Sequence, residues 1–249
     1  MNRALGYALA TVFVLVAWQC VAWAVHSPAL PTATSAVAAL WKWRAAIAPQ
    51  TLASLGVIVA AVALGMMLGL PIGLALGRTP ALDRIVSPVV FLLYPIPKVV
   101  FVPVLLVLLG LGNTPKVVLI AIVIFFQTIV STRDAARTVS RSFVDAMLAL
   151  GMTRWQVTWY LVLPVSLPAV CTAVRINIAT AIAILFLAES IAGSSGLGYY
   201  IVQMWGRLDY AAMFAGIIAL AVLGVVLYEG VAAVERRWLG WADEVSARS

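Results

Sequence analysis

Residues 51–77 read TLASLGVIVAAVALGMMLGLPIGLALG, from Thr51 to Gly77, without a single Asp, Glu, Lys or Arg. As a helix rising 1.5 Å per residue, this stretch is about 40 Å long, more than the roughly 30 Å of hydrocarbon in a bilayer. Lipid is the solvent that suits such a surface. The rest of the chain agrees, with 64% hydrophobic and only 10% charged residues over 249 positions. A soluble domain carries about 25% charged residues.

Five further apolar runs lie at about 5–25, 85–109, 115–132, 169–188 and 211–228, which predicts an all-α polytopic protein with six transmembrane helices. Arg3 precedes the first run, but no A-x-A cleavage pattern ends it, so it reads as a retained span. An even number of spans puts both termini on one side. With that side cytoplasmic, Arg3, Arg78, Arg84, Arg133, Arg137, Arg141, Arg154, Arg236, Arg237 and Arg248 lie inside, and only Lys42, Arg44, Lys116 and Arg207 lie outside. Trp41 and Trp43 before the second span, and Trp238 and Trp241 after the last, fit interfacial belts. Between the first two spans, residues 33–46 read as a short amphipathic helix on the outer surface, bounded by Pro28, Pro31 and Pro49. No inverted repeat relates the two halves.

Several other classes are argued against by the residues. The net charge of +7 is scattered between apolar runs and forms no basic stripe, which argues against nucleic acid. Cys20 and Cys171 lie inside apolar runs, and with His26 the only histidine there is no zinc spacing, so metal sites and cofactors are expected to be absent. No clustered nucleophile, base and orienting group supports a membrane-embedded enzyme, and no catalytic residue is assigned. The alternative from another class is an ion-coupled secondary transporter, which would bury acidic residues; only Glu189 and Glu229 come close, and both lie near span ends.

The polar loop 133–164 is the most informative segment. Ser142-x-x-Asp145 has capping-box spacing and predicts a helix from about Phe143 through Ala146, Met147 and Leu150, closed at Gly151 by left-handed backbone. Thr153-x-x-Gln156 repeats the spacing and predicts a second helix through Trp155, Val157 and Leu161, broken by Pro164 and Pro168. Helix, glycine corner and helix make either a partner-docking knob or an amphipathic loop resting on headgroups.

Asp145-Ala146-Met147, Gly151 after three residues, and Leu161-Val162-Leu163-Pro164 after nine more resemble the signature of binding-protein-dependent ABC importer permeases: E-A-A, three residues, G, nine residues, I-x-L-P. Asp145, Met147 and Leu161 depart from it mildly. Tyr94-Pro95-Ile96-Pro97-Lys98, Gly110-Leu111-Gly112 and the run from Glu189 to Tyr199 are similar to the nitrate, sulfonate and taurine branch. That broad branch also includes permeases for thiamine-precursor pyrimidines and riboflavin. The resemblance implies a single permease domain, with a first span and periplasmic segment over 1–50 and a core over 51–241.

The resemblance further implies two copies around one pathway, a cytosolic ATP-binding subunit that holds the ATP, and a periplasmic solute-binding protein. The first short helix would then be a coupling helix, carried by Asp145, Ala146, Met147, Leu150, Gly151, Leu163 and Pro164.

Outside the loop, Gly193, Gly196 and Gly198 with Glu189 and Ser190 read as a turn near an outer gate, because no Lys-Ser or Lys-Thr follows to make a phosphate loop. Lys98 is compatible with attracting an anionic solute, with snorkelling, or with pairing to Glu189. Arg175 reads as snorkelling to the cytoplasmic surface, and Gln127 and Asn177 as interhelical hydrogen-bonders.

Overall fold

The computed structural model describes residues 3–238, and every regular element among them is helical. The elements are α1 (Arg3–Val25), α2 (Ala33–Lys42), α3 (Arg44–Arg78), α4 (Pro80–Leu93), α5 (Val102–Leu109), α6 (Asn113–Thr138), α7 (Arg141–Ala149), α8 (Arg154–Val157), α9 (Leu163–Ala192), α10 (Leu197–Gly206) and α11 (Tyr210–Trp238). A 3₁₀ turn over Lys98–Phe101 precedes α5, and a π turn over Thr158–Val162 joins α8 to α9. Trp241 and Arg248 lie outside the described residues.

Five helical stretches are long and apolar enough to span: Leu5–Val25, Arg44–Arg78, Asn113–Thr138, Arg154–Ile191 and Tyr210–Arg237. The third predicted span is instead a pair, Pro80–Leu93 and Lys98–Leu109, bent by 78° at the Tyr94–Pro97 break. Two prolines one residue apart remove two amide donors and fix φ at both positions, which no helical ladder absorbs. Single prolines behave otherwise. Pro49 lies inside α3 and Pro168 inside α9, so neither ends its helix as the sequence suggested. At Pro164 the missing amide falls just beyond the π turn, where Leu163 N–H donates to Thr158 O across five residues.

Contacts group the chain into two compact units, residues up to 55 with 189–223, and residues 56–188 with 224 onward. In the first unit, Thr32 caps α2 by accepting from Ser35 N–H, and α2 buries Ala33, Ala36 and Ala39. The amphipathic segment ends at Lys42, sooner than the sequence indicated, and α3 starts at Arg44. Trp18 of α1 donates from Nε1 to Pro31 O at 3.1 Å and tilts against Phe214 with ring centroids 5.3 Å apart.

In the second unit, Gly65, Gly69, Gly73 and Gly77 bring α3 against α6. A Cβ on Gly65 would stand 2.9 Å from Ala121 O, and one on Gly69 2.9 Å from Phe125 O. Gly73 and Gly77 meet the carbonyls of Ile129 and Arg133 in the same way, so a four-residue period on one helix matches a four-residue period on the other. Such small-residue seams let backbones approach where lipid gives no hydrophobic drive.

Candidate coupling site

Helix α7 begins two residues earlier than its sequence spacing suggests. Ser140 is the N-cap and provides no side-chain cap bond. Its hydroxyl instead lies 2.7 Å from that of Ser142. The Ser142–Asp145 box therefore does not form, because Ser142 already sits inside the helix and Asp145 falls in the second turn.

The far end closes as expected. Gly151 has φ +88°, Met152 N–H donates to Met147 O, and Gly151 N–H donates to Leu148 O. These are the paired bonds of a Schellman closure. Thr153 and Gln156 form the predicted reciprocal box, with Thr153 N–H donating to Gln156 Oε1 at 2.8 Å and Gln156 N–H to Thr153 Oγ1 at 3.3 Å.

The motif residues divide by face. Met147 packs inward, with Leu148, on a core of Leu74, Ala136, Val139, Val157 and Val162, and Leu163 packs on it from α9. Ala146 is exposed, as is Leu150 at 83%, and Phe143 at 65% joins them. Spaced i, i+3 and i+7, these three form one apolar stripe that faces outward. Phe143 was legible as the missing member, since it precedes Ala146 by three residues. Asp145 lies on the opposite side of α7 with Arg141, Val144 and Leu148, lining a polar cavity. Pro164 is half-buried in the first turn of α9.

A carboxylate that the sequence reading passed over anchors the ends of the helices beside this loop. Asp83, in the first turn of α4 and 7% exposed, accepts from Nε and Nη2 of Arg133, from Arg137 Nη2 at 2.7 Å, and from Ser87 Oγ. Two guanidiniums from the last turns of α6 thus hold α4 at its start, and Arg133 also stacks over Phe91 at 5.3 Å. The available signal was one acidic residue standing at the head of an apolar run.

The glycine turn is built around Glu189, which is fully buried. Ser54 Oγ donates to its carboxylate at 2.8 Å, and Gly198 N–H donates to Oε2 at 2.8 Å. Leu197 N–H donates to Ser54 Oγ, and Gly196 N–H donates to Gln50 Oε1 at 2.7 Å. Three successive amides at the start of α10 are thereby capped by side chains from α3 and α9. Gly196 has φ +106°, and a Cβ there would overlap the Glu189 carboxylate. One on Gly193 would overlap the Glu189 carbonyl. Ser190 is half-buried on the last turn of α9.

Lys98 donates to Leu93 O at 2.7 Å and to Tyr94 O at 2.5 Å, with the Phe126 ring 4.9 Å away. It caps the carbonyl end of α4 across the break. Arg175 meets Glu235 at 3.3 Å and lies over Tyr228, so it is paired where snorkelling was expected. Asn177 is buried, and Gln127 Oε1 is buried without a hydrogen-bond partner among the described residues.

Residues 65–240 match the profile of the family described as binding-protein-dependent transport system inner membrane component. The chain belongs to this family. This importer permease is 32% identical over 193 residues to the taurine transport system permease protein TauC of Escherichia coli (strain K12), covering 78% of this chain and 70% of TauC. It is 26% identical to the formylaminopyrimidine transport permease protein ThiX of Halalkalibacterium halodurans, over 76% of each chain. Among solved structures, the permease superposes on a chain of the MetNI methionine ABC transporter in an inward-facing conformation. That match has a TM-score of 0.66 at 20% identity and covers 77% of this chain and 95% of the other. The all-α polytopic fold and the role of an ABC importer permease, both expected from the sequence, are thereby established. The family is one of transport components.

Proposed function

We propose that this permease is one of two copies lining a pathway for a small sulfonate-bearing solute such as taurine, and that α7 couples it to a cytosolic ATP-binding subunit. One observation carries the coupling reading: the outward apolar stripe of Phe143, Ala146 and Leu150, on a nine-residue helix closed at Gly151 by a Schellman turn. A stripe of this kind on a rigid helix suits a groove in a partner protein. Gly151, Leu163 and Pro164 set its angle, Met147 roots it in the core, and Asp145 supports it from behind.

In this reading a periplasmic binding protein delivers the solute, which the family description, a binding-protein-dependent transport system, supports. The likeness to TauC supports the solute class, and pyrimidine or riboflavin uptake is the competing outcome. In this reading both termini and loop 133–164 face the cytoplasm of a bacterial inner membrane, and the chain forms one permease domain without catalytic residues or cofactor. Glu189, Ser190, Gly193, Gly196 and Gly198 shape the outer turn, with Lys98 at the elbow of the broken span.

The experiment compares wild type with Gly151→Val and Gly151→Asn at matched expression, measuring taurine uptake and co-purification of the ATP-binding subunit. No atom lies within 4 Å of a Cβ placed on Gly151, so the only penalty is left-handed backbone, roughly 1–2 kcal/mol for an ordinary residue and least for Asn. Gly151→Val is expected to insert normally while losing most uptake and most of the ATPase, and Gly151→Asn to keep both. Normal uptake by Gly151→Val would remove the loop from the mechanism.

A further inference from the structure

Two cavities lie beside the docking loop, and the face of α7 opposite the stripe borders one of them. One, of about 500 Å³, is an apolar groove between α3 and the α8–π segment, walled by Met67, Leu70 and Leu74 on one side and by Trp155 and Trp159 on the other. Its end is marked by Arg78 and Arg154. The second cavity, of about 430 Å³, shares both arginines and adds Arg141. Three guanidiniums thus face one carboxylate, Asp145, and neither Arg141 nor Arg154 has a side-chain partner among the described residues. Arg78 has a 3.5 Å bond to Val139 O.

The dimensions identify the occupant. From Met67 to Arg78 is eleven residues of α3, about 17 Å along the axis, close to half of the ~30 Å hydrocarbon core. An apolar groove one leaflet long, ending in a cluster of guanidiniums where the span ends, matches an amphiphile with an acyl chain and an anionic head. We propose that α3, the α8–π segment and the rear of α7 bind one anionic phospholipid. Its acyl chain lies along Met67, Leu70 and Leu74, and its phosphate lies between Arg78, Arg154 and Arg141. The site depends only on α3 being a membrane span. Because Arg141, Val144, Asp145 and Leu148 occupy the face of α7 about half a turn from Phe143, Ala146 and Leu150, the lipid braces the docking helix from behind without covering its stripe.

Native mass spectrometry of the detergent-purified full chain tests this, with phosphatidylglycerol or phosphatidylcholine added. One phosphatidylglycerol per chain is expected to be retained, about tenfold over phosphatidylcholine. The double variant Arg78→Gln/Arg154→Gln is expected to lose that preference, while Arg78→Lys/Arg154→Lys largely keeps it, which separates charge from folding. Leu70→Trp fills the groove and is expected to lower retention of phosphatidylglycerol with helix content unchanged. Equal retention of the two lipids, or indifference to both the glutamine pair and Leu70→Trp, overturns the proposal. So does displacement of the lipid by millimolar glycerol phosphate, which marks a site for free anions. Efficient disulfide crosslinking between two copies carrying Leu70→Cys also overturns it, since the groove would then be an interface between copies.

Discussion

Glu189 and Asp83 show how two buried carboxylates hold separate helix starts. Removing a partner from a hydrogen-bonded buried charge costs about 3–5 kcal/mol, because the remaining groups lose their solvation without replacement. Glu189→Ala would leave Ser54 Oγ and Gly198 N–H without their acceptor. It is expected to lower the thermal midpoint of the purified permease by several degrees and to expose α10 to limited proteolysis. Glu189→Asp should recover only part of the loss, since its carboxylate stops one methylene short of Gly198. Asp83→Asn is expected to destabilise by a similar amount, about 3 kcal/mol, read by thermal unfolding, because Arg133 and Arg137 would face one another across a neutral amide. Lys98 differs, being fixed by two carbonyls at a chain elbow. Lys98→Ala is expected to reduce folded yield together with uptake, and loss of uptake alone at full yield would return it to the solute pathway.

At the scale of elements, the α3–α6 seam makes the clearest demand. Each glycine from Gly65 to Gly77 lies where a Cβ would press on an α6 carbonyl, and overpacking of this kind costs about 1–3 kcal/mol or more. Gly69→Leu is expected to cut the yield of monodisperse protein severalfold in size-exclusion chromatography. Gly56→Leu, on the same helix with nothing within 4 Å of its Cβ, should be tolerated. The four-residue spacing was open to reading in residues 65–77, yet the run was read only as apolar length, because hydropathy does not distinguish a lipid face from a helix contact. The capping box at Thr153 and the left-handed Gly151 were legible, since both are local. Ser142–Asp145 failed for the complementary reason: the helix start was set by the chain leaving α6 at Val139, which spacing alone does not contain. Likewise the prolines at 49 and 168 were over-read as breaks, whereas a membrane helix absorbs a lone proline if its freed carbonyl finds another donor.

For the whole molecule, topology depends on the bent pair Pro80–Leu93 and Lys98–Leu109. If the pair crosses, the spans number six and the termini share a side. If it re-enters, they number five and the termini part. Reporter fusions at each terminus, with impermeant labelling of Thr153→Cys in intact and opened cells, decide between these. The expected outcome is two cytoplasmic termini, and a Thr153→Cys labelled only after opening. The distribution of basic residues supports this, since that orientation would put ten of them inside against four outside. Lys116, counted among the four, is buried in the first turn of α6, so in that orientation the outer surface would carry less charge than the sequence suggests.

The π turn over Thr158–Val162 also fixes a phase. It amounts to one extra residue in an otherwise continuous helical rod from Arg154 to Ile191. Each residue of an α-helix turns the chain by about 100°, so this single insertion sets the direction in which everything ahead of it points. Deleting Tyr160, whose side chain is 70% exposed and so contributes little packing, would restore the ordinary ladder and swing α8 by roughly that angle. The expected result is a permease that inserts normally but whose docking face has rotated away from its partner, like a key cut correctly and turned in its bow.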